Sequence, residues 1–226
     1  MGTGIEESID AAANPEQDTG SDPALFPTRL DAIVADQGSV GTVIDVGAHV
    51  GALTLPALAR GATVVAVEPC LVHMMALTIQ AADVGAGVLL PVAAAIWDVG
   101  GQLFPLYGRV AGDKRADPGQ MGLLPWRQSA ILGWTVTVTL EELMQHLQIP
   151  EVDLLKMDVE GAEHRIIPAL PLSTLRRFRY VDLDNRDIRN DDFFEQRFAR
   201  WADLDAVLAD AGFALQACGL WKRMGH

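Results

Sequence analysis

Three carboxylates and a lysine follow an apolar run in the stretch DLLKMDVEGAEHRI, residues 153–166. Side chains on a strand alternate between its two faces, which would place Lys156, Asp158 and Glu160 together. Carboxylates grouped in this way can deprotonate or orient a hydroxyl group, or they can bind a metal ion. We expect Asp158 to be the base or orienting group, with Lys156 lying deeper as a charge partner. Glu160 and Glu163 could orient a substrate hydroxyl or complement the positive end of the next helix.

A turn with two glycines, DVGAHVGALT, follows an earlier apolar run. Gly47 would allow a sharp turn beside a ligand, and Gly51 would allow close packing of the next helix. The spacing G-x-x-x-G places His49 where dinucleotide-binding proteins have a glycine, so a dinucleotide fits poorly. Asp45 would repel a pyrophosphate but suits a ligand with an amino group. Glu68, 23 positions later, could accept hydrogen bonds from both ribose hydroxyls. A ribose and an amino group without phosphate indicate S-adenosylmethionine.

Apolar runs alternate with amphipathic segments along most of the chain. The predicted strands are 42–47, 63–69, one within 87–98, 134–138, 151–159, 178–184 and 213–219. The predicted helices are 27–37, 52–60, 71–83, 139–147, 162–170 and 200–212. This alternation is typical of α/β proteins with a mainly parallel sheet and helices on both faces. Ligands of such proteins bind beyond the carboxyl ends of the strands, where the charged residues above are placed.

The composition limits the class of partner. The net charge is 17 − 30 = −13, which argues against binding to nucleic acid or to an anionic membrane. The chain contains neither a run of about 20 apolar residues nor a secretory signal. Cys70 and Cys218 lack metal-binding spacing, so we expect reduced thiols in a cytoplasmic protein. We predict a disordered acidic tail over residues 1–24, one domain over 25–226 and an excursion from the core at 108–133.

Two longer segments carry a resemblance to a known family. The segment VIDVGAHVGALTLPALARGATVVAVEP resembles motif I and the acidic loop of class I S-adenosylmethionine-dependent methyltransferases. The segment VTVTLEELMQHLQIPEVDLLKMDVEGAEHRII resembles the FkbM-type methyltransferases, whose recurrent core reads close to LKIDVEGAE. The resemblance implies a seven-stranded Rossmann-like methyltransferase fold. It also implies O-methylation of a small-molecule or glycan hydroxyl, with S-adenosylmethionine as the methyl donor.

The resemblance further implies roles for individual residues. The positions it assigns to the cofactor are Asp45, Gly47, His49, Gly51, Glu68, Pro69, Ala95 and Asp158. The positions it assigns to the transfer site are Asp158, Glu160 and Glu163. We expect no resident metal at these positions. The alternative is a magnesium site like that of catechol-type O-methyltransferases, with oxygen ligands from Asp158, Asp184 and Asn185.

The sequence departs from the family pattern near its C-terminus. Only nine residues follow Ala217, so we expect the seventh, antiparallel strand to be short or missing. A short sheet would leave a second interpretation open, namely a non-catalytic cofactor-binding or scaffolding subunit that keeps the methyltransferase fold.

Overall fold

A mainly parallel sheet of seven strands is the centre of the computed structural model, which describes residues 25–109, 121–125, 129–183 and 201–225. Its strands are β1 (Thr42–Val46), β2 (Thr63–Val67), β3 (Val88–Val92), β8 (Val152–Met157), β9 (Phe178–Leu183), β10 (Phe213–Leu215) and β11 (Trp221–Arg223). They lie in the order β3-β2-β1-β8-β9-β11-β10. Six of these strands run in the same direction, and β11 runs antiparallel to them. The predicted fold class is therefore confirmed. The predicted tail, residues 1–24, lies outside the described residues.

Helices cover both faces of this sheet. They are α1 (Leu25–Gln37), α2 (Thr54–Ala59), α3 (Leu71–Ala81), α4 (Leu140–His146), α5 (Glu163–Ala169), α6 (Leu172–Leu175) and α7 (Trp201–Asp210). Successive residues of β1 alternate between two apolar clusters, with Val43 facing α1 and α2 and Ile44 facing α4, α5 and α7. Within the described part of the chain, no helix combines the length and the apolar character needed to cross a membrane.

The seventh strand of the sheet is present and short. β11 has three residues, and it inserts between β9 and β10 with Trp221 opposite Val181. Trp221 is buried in the main apolar cluster together with Phe213 of β10. A single large aromatic side chain thus gives this short strand an anchor in the core, and the sheet is complete.

A second, four-stranded sheet occupies part of the predicted excursion. It consists of β4 (Ala95–Ile96), β5 (Leu103–Arg109), β6 (Met121–Gly122) and β7 (Ser129–Val138), in the order β4-β7-β5-β6. The predicted strand at 134–138 is the end of the longer β7. Its alternation is inverted, since Thr135 and Thr137 are buried while Trp134 and Val136 are 59% and 51% exposed. Residues 110–120 and 126–128 of the excursion are outside the described ranges.

A capping box marks the start of α4. The Thr139 hydroxyl accepts a hydrogen bond from the Glu142 N–H at 3.1 Å, and the Glu142 carboxylate accepts one from the Thr139 N–H at 2.9 Å. Both N–H groups are thereby satisfied, and the helix begins at a defined residue just after β7.

Candidate active site

The carboxyl ends of β1 and β8 lie side by side, since the strands pair in parallel with Asp45 opposite Lys156. The Lys156 ammonium group lies 3.4 Å from Asp45 Oδ1 and 3.6 Å from Asp158 Oδ2. It also donates a hydrogen bond to the Gly47 carbonyl oxygen at 3.1 Å. Lys156 is only 4% exposed, so solvent and salt screen these attractions weakly. The lysine therefore lies deeper than Asp158 and is its charge partner, as the sequence predicts.

Asp45 lies below the surface of the glycine turn. Its side chain is fully buried, and Oδ2 accepts a hydrogen bond of 2.7 Å from the Thr54 hydroxyl at the start of α2. Its other oxygen faces Lys156. The carboxylate thus ties β1 to α2 and β8, and its predicted contact with a ligand's amino group stays a prediction.

The two glycines of the turn are required by close approaches within the chain. Gly47 has φ +74°, and a Cβ atom there would lie 2.0 Å from the Asp158 carbonyl oxygen. Gly51 has φ +100°, and a Cβ atom there would lie 2.9 Å from Leu55 in the next helix, α2, and 2.5 Å from a methyl carbon of Leu77 in α3. Gly51 therefore allows close helix packing, as predicted. The position that a side chain at Gly47 would occupy is taken by the turn after β8, and the predicted contact of Gly47 with a ligand stays a prediction.

Glu68 ends β2 in a fixed orientation. Its Oε2 accepts a hydrogen bond from the His49 N–H at 2.9 Å, and its Oε1 accepts one from the Cys70 N–H at 2.8 Å. Burial raises the pKa of Glu68, and these two hydrogen bonds oppose that rise. The carboxylate thereby links the glycine turn to the start of α3, at the sheet edge where a ribose is expected.

Two imidazole rings lie beside this carboxylate. His73 Nδ1 is 3.7 Å from Glu68 Oε1, and the rings of His49 and His73 meet edge to face with their centroids 4.2 Å apart. His49 has a left-handed backbone with φ 48°, an uncommon conformation for a residue other than glycine. His73 was not grouped with Glu68 from the sequence; the available signal was its position at the start of a helix directly after a strand-end acid.

Glu160 lies in the turn after β8 and not on the strand itself. The strand ends at Met157, and Glu160 has φ +56°, so alternation along a strand no longer applies to Glu160. The expectation that Glu160 shares one strand face with Lys156 and Asp158 is therefore wrong. The left-handed conformations at Glu160 and at Gly161, φ +92°, turn the chain into α5 instead.

Glu163 is enclosed by the protein, although it belongs to the same motif. Its Oε1 accepts a hydrogen bond of 3.0 Å from the Val159 N–H, and among the described residues its buried Oε2 has no hydrogen-bond partner. Burial raises the pKa of Glu163 to about 7, helped by the charge of Asp158 and opposed by backbone N–H groups of the turn. The Glu163 carboxyl group thus stabilises the turn through its hydrogen bond with the Val159 N–H.

The elevated pKa of Glu163 predicts a pH-dependent stability. The folded carboxyl takes up its proton at about 7 and the unfolded one near 4.5, so folding is favoured below this window and loses stability as pH rises through it. We expect Glu163→Gln to remove this loss, so that its stability relative to wild type rises by roughly 3 kcal/mol between pH 5 and pH 8. Urea unfolding across this pH range measures the difference. The exposed Glu151→Gln is the control and should follow wild type; equal pH profiles for all three proteins would contradict the prediction.

A cation of α5 lies against the second sheet. Arg165 Nε donates a hydrogen bond of 2.7 Å to Asp98 Oδ2, and its guanidinium carbon lies 5.4 Å from the centre of the Trp97 ring. Arg165 was not among the residues that the sequence predicts for the site. The available signal was the place of Arg165 within the motif DVEGAEHR.

The remaining predicted positions are divided between described and undescribed parts of the chain. Pro69 follows Glu68 and is partly exposed, whereas Ala95 is buried in β4, paired with Thr137. Asp184 and Asn185 lie outside the described residues, so the alternative magnesium site stays a prediction.

The strand order and the site together define a class of protein. A parallel sheet ordered β3-β2-β1-β8-β9, extended by an antiparallel strand inserted before the last, is the arrangement of Rossmann-like methyltransferases. The model of the methyltransferase FkbM domain matches residues 45–215. The chain belongs to this family, and the resemblance stated from its two motifs is confirmed.

The chain resembles several solved structures at low sequence identity. The precorrin-6y C5,15-methyltransferase from Geobacter metallireducens GS-15 is 12% identical, with 91% of this chain and 79% of that chain covered and a TM-score of 0.45. The magnesium protoporphyrin IX methyltransferase from Synechocystis PCC 6803 with bound SAH is 13% identical, with 86% and 74% covered and a TM-score of 0.46. The N-terminal domain of EvdMO1 with SAH bound is 15% identical, with 86% and 72% covered and a TM-score of 0.44. Among curated proteins, none matches the sequence.

Proposed function

We propose that this protein transfers a methyl group from S-adenosylmethionine to a hydroxyl of a small molecule or glycan. The observation that carries the proposal is the contrast in access among the carboxylates of the site. The Asp158 side chain is 29% exposed, whereas those of Asp45 and Glu163 are enclosed. Of these three, Asp158 alone combines contact with solvent and a buried cation at its side.

The cofactor is proposed to lie across the carboxyl ends of β1 and β2. Glu68 is the residue that fits a ribose there, because its two oxygens are held by the N–H groups of His49 and Cys70 and each keeps a lone pair for a ligand hydroxyl. The turn containing Gly47 brings backbone next to the same edge. S-adenosylmethionine, when bound, supplies a methyl group on a positively charged sulfur.

Asp158 is proposed to prepare the acceptor. Its carboxylate accepts the proton of the acceptor hydroxyl as the oxygen–carbon bond forms and the carbon–sulfur bond breaks, which leaves a neutral thioether. The Lys156 ammonium group lies 3.6 Å from Asp158 Oδ2 and fixes the direction of that carboxylate. In-line attack needs this orientation, since a misplaced acceptor loses much of the gain from proximity.

The two glutamates have different proposed roles. Glu163 is enclosed and bonded to the Val159 N–H, so we assign it as a positioning residue for the turn that carries Asp158. Glu160 is partly exposed on the same turn and is proposed to orient the acceptor.

The chemistry of the whole chain fits a small or neutral acceptor. A net charge of −13 disfavours a polyanion as the substrate. Cys70 and Cys218 are both free thiols, which fits a protein of the reducing cytoplasm.

Replacing Asp158 by asparagine tests the proposed chemistry. We expect methyl transfer from labelled S-adenosylmethionine to a panel of hydroxyl acceptors to fall by about 100-fold or more, because the base is lost. Binding of S-adenosylhomocysteine, measured by calorimetry, should change by less than about threefold, since removing a group that acts on the acceptor leaves ground-state binding largely intact.

Asp153→Asn is a matched control for this test. Asp153 lies near the start of β8, the strand that Asp158 follows, and accepts hydrogen bonds from the N–H groups of Gly41 and Thr42. This variant should keep wild-type turnover. Absence of S-adenosylhomocysteine binding by wild type would contradict the cofactor assignment, and full turnover by Asp158→Asn would contradict the role of the base. Binding without turnover on any acceptor would favour the non-catalytic subunit.

A further inference from the structure

Three different metal-binding side chains meet where β2 ends and α3 begins. A carboxylate oxygen of Glu68, the sulfur of Cys70 and a ring nitrogen of His73 all lie within 4.8 Å of one another. Glu68 and His73 are already held close, with 3.7 Å between Oε1 and Nδ1. The group is partly buried, and hydrogen bonds to backbone N–H groups fix the carboxylate.

The donor types select the kind of metal. A thiolate and an imidazole favour soft or borderline ions such as Zn²⁺ and Co²⁺ over Mg²⁺ and Ca²⁺, which prefer oxygen ligands alone. Tetrahedral zinc places its ligand atoms about 3.3–3.8 Å apart, as follows from Zn–O, Zn–N and Zn–S bonds of about 2.0–2.3 Å. Contraction by about 1 Å from the observed spacing is within reach of side-chain rotation, because Cys70 and His73 each turn about their own χ angles.

The charges of this group also balance. Binding of Zn²⁺ releases the Cys70 thiol proton to solvent, and the thiolate and the Glu68 carboxylate then neutralise the ion. Three protein ligands leave one tetrahedral position for water, and the ring of His49, 4.2 Å from that of His73, is the nearest further imidazole.

We propose that Glu68, Cys70 and His73 form a binding site for Zn²⁺. When the ion occupies this site, the cofactor is excluded. The second half rests on the proposed function, which places the ribose on Glu68. Coordination through one Glu68 oxygen uses the lone pair that would accept one ribose hydroxyl, and the ion with its bound water takes the space beside the carboxylate that the ribose would occupy. Free zinc would then act as an inhibitor of methyl transfer at the cofactor site.

Cobalt titration of the reduced, metal-free protein tests the metal site directly. Co²⁺ bound by a thiolate gives a sulfur-to-metal charge-transfer band in the near ultraviolet, and we expect one equivalent to saturate it. Cys70→Ser should abolish the band. Cys218→Ser, which changes the second free cysteine at an exposed position, should keep it. His73→Ala should weaken Co²⁺ binding by about tenfold or more, whereas His146→Ala on α4 should not.

Two outcomes of the cobalt titration would contradict the proposed metal site. Absence of the band in wild type, or a band that survives Cys70→Ser, shows that this group does not bind the metal. Circular dichroism of each variant tests whether the fold is kept. With the fold kept, a lost band reports the loss of a metal ligand and not unfolding.

Competition with S-adenosylhomocysteine separates the two proposals. Saturating Zn²⁺ should raise the apparent Kd of S-adenosylhomocysteine by about tenfold or more in wild type and leave it unchanged in Cys70→Ser. Equal Kd values with and without Zn²⁺ in wild type overturn the exclusion. If metal-free wild type binds no S-adenosylhomocysteine while Co²⁺ still binds through Cys70, the proposed function fails and the metal site stands.

Discussion

Lys156→Met is expected to lower the free energy of unfolding by about 3–5 kcal/mol, the cost typical of removing one partner of a buried ion pair. Lys156 is the cation that faces both Asp45 and Asp158, and Asp45 is fully buried. Without the ammonium group, the Asp45 carboxylate is left in a low-dielectric environment near a second negative charge. Urea unfolding at neutral pH measures the loss, and calorimetry with S-adenosylhomocysteine should show weaker binding, because the Gly47 carbonyl also loses its donor.

A matched surface substitution separates this effect from loss of any lysine. Lys222 pairs with Asp36 on the protein surface, where the two side chains are 33% and 41% exposed. Lys222→Met should change stability far less, because solvent screens such pairs. Equal losses for the two variants would contradict the role assigned to Lys156.

A second substitution should rescue the first. Adding Asp45→Asn to Lys156→Met removes the uncompensated charge while keeping an oxygen for the Thr54 hydroxyl. We expect the double variant to recover roughly 2 kcal/mol of the loss, since the two side chains interact directly and their effects are not additive. Strict additivity of the two single effects would show that the pair has no stabilising interaction.

Gly47→Ala is expected to be the most damaging change of a single atom in the site, with a loss of about 3–5 kcal/mol. The new Cβ would lie 2.0 Å from the carbonyl oxygen of Asp158, so the turns after β1 and β8 would have to separate. Such a separation also moves Asp158 away from its place beside Lys156. Thermal or urea unfolding gives the stability, and S-adenosylhomocysteine calorimetry gives the effect on the site.

Gly61→Ala is the control for backbone strain alone. Gly61 has φ +81°, close to the +74° of Gly47, but a Cβ atom there would meet no atom within 4 Å. The cost at Gly61 should therefore be only about 1–2 kcal/mol, that of a left-handed conformation for alanine. If the two variants lose the same stability, the contact with Asp158 does not decide the requirement for glycine at position 47.

The main sheet could be predicted from the sequence because its central strands are apolar on both faces. β1 is apolar apart from Thr42 and Asp45, and β2 is apolar apart from Thr63. Gly47 and Glu68 follow shortly after these strands, and this pattern marks both the strand and its functional end. The second sheet could not be predicted in this way. β5 and β7 pair across a long insertion, and β7 places threonines inside and Trp134 and Val136 outside, so its polarity pattern gives the wrong face.

The site was predictable in its residues more than in its geometry. One motif identified Asp45 and another identified Lys156 and Asp158, and the parallel pairing of β1 with β8 brings the three together. The sequence did not indicate that Glu163 is enclosed, because burial depends on how the left-handed turn at Glu160 directs the chain into α5. It also gave no sign that Asp45 is covered by α2, since the Thr54 contact forms only after the glycine turn has folded back.

The distance in sequence between β1 and β8 has a consequence for biosynthesis. Asp45 and Lys156 are 111 positions apart, so at ordinary rates of translation roughly 5–20 s pass between the synthesis of the anion and that of its cation. During that time the nascent chain already contains β1, β2 and β3 but lacks the strand that neutralises Asp45. The half-made sheet must keep that carboxylate in water, which favours a partly open state on the ribosome. Assembly of the site is thus a late step of synthesis, completed when β8 closes against β1.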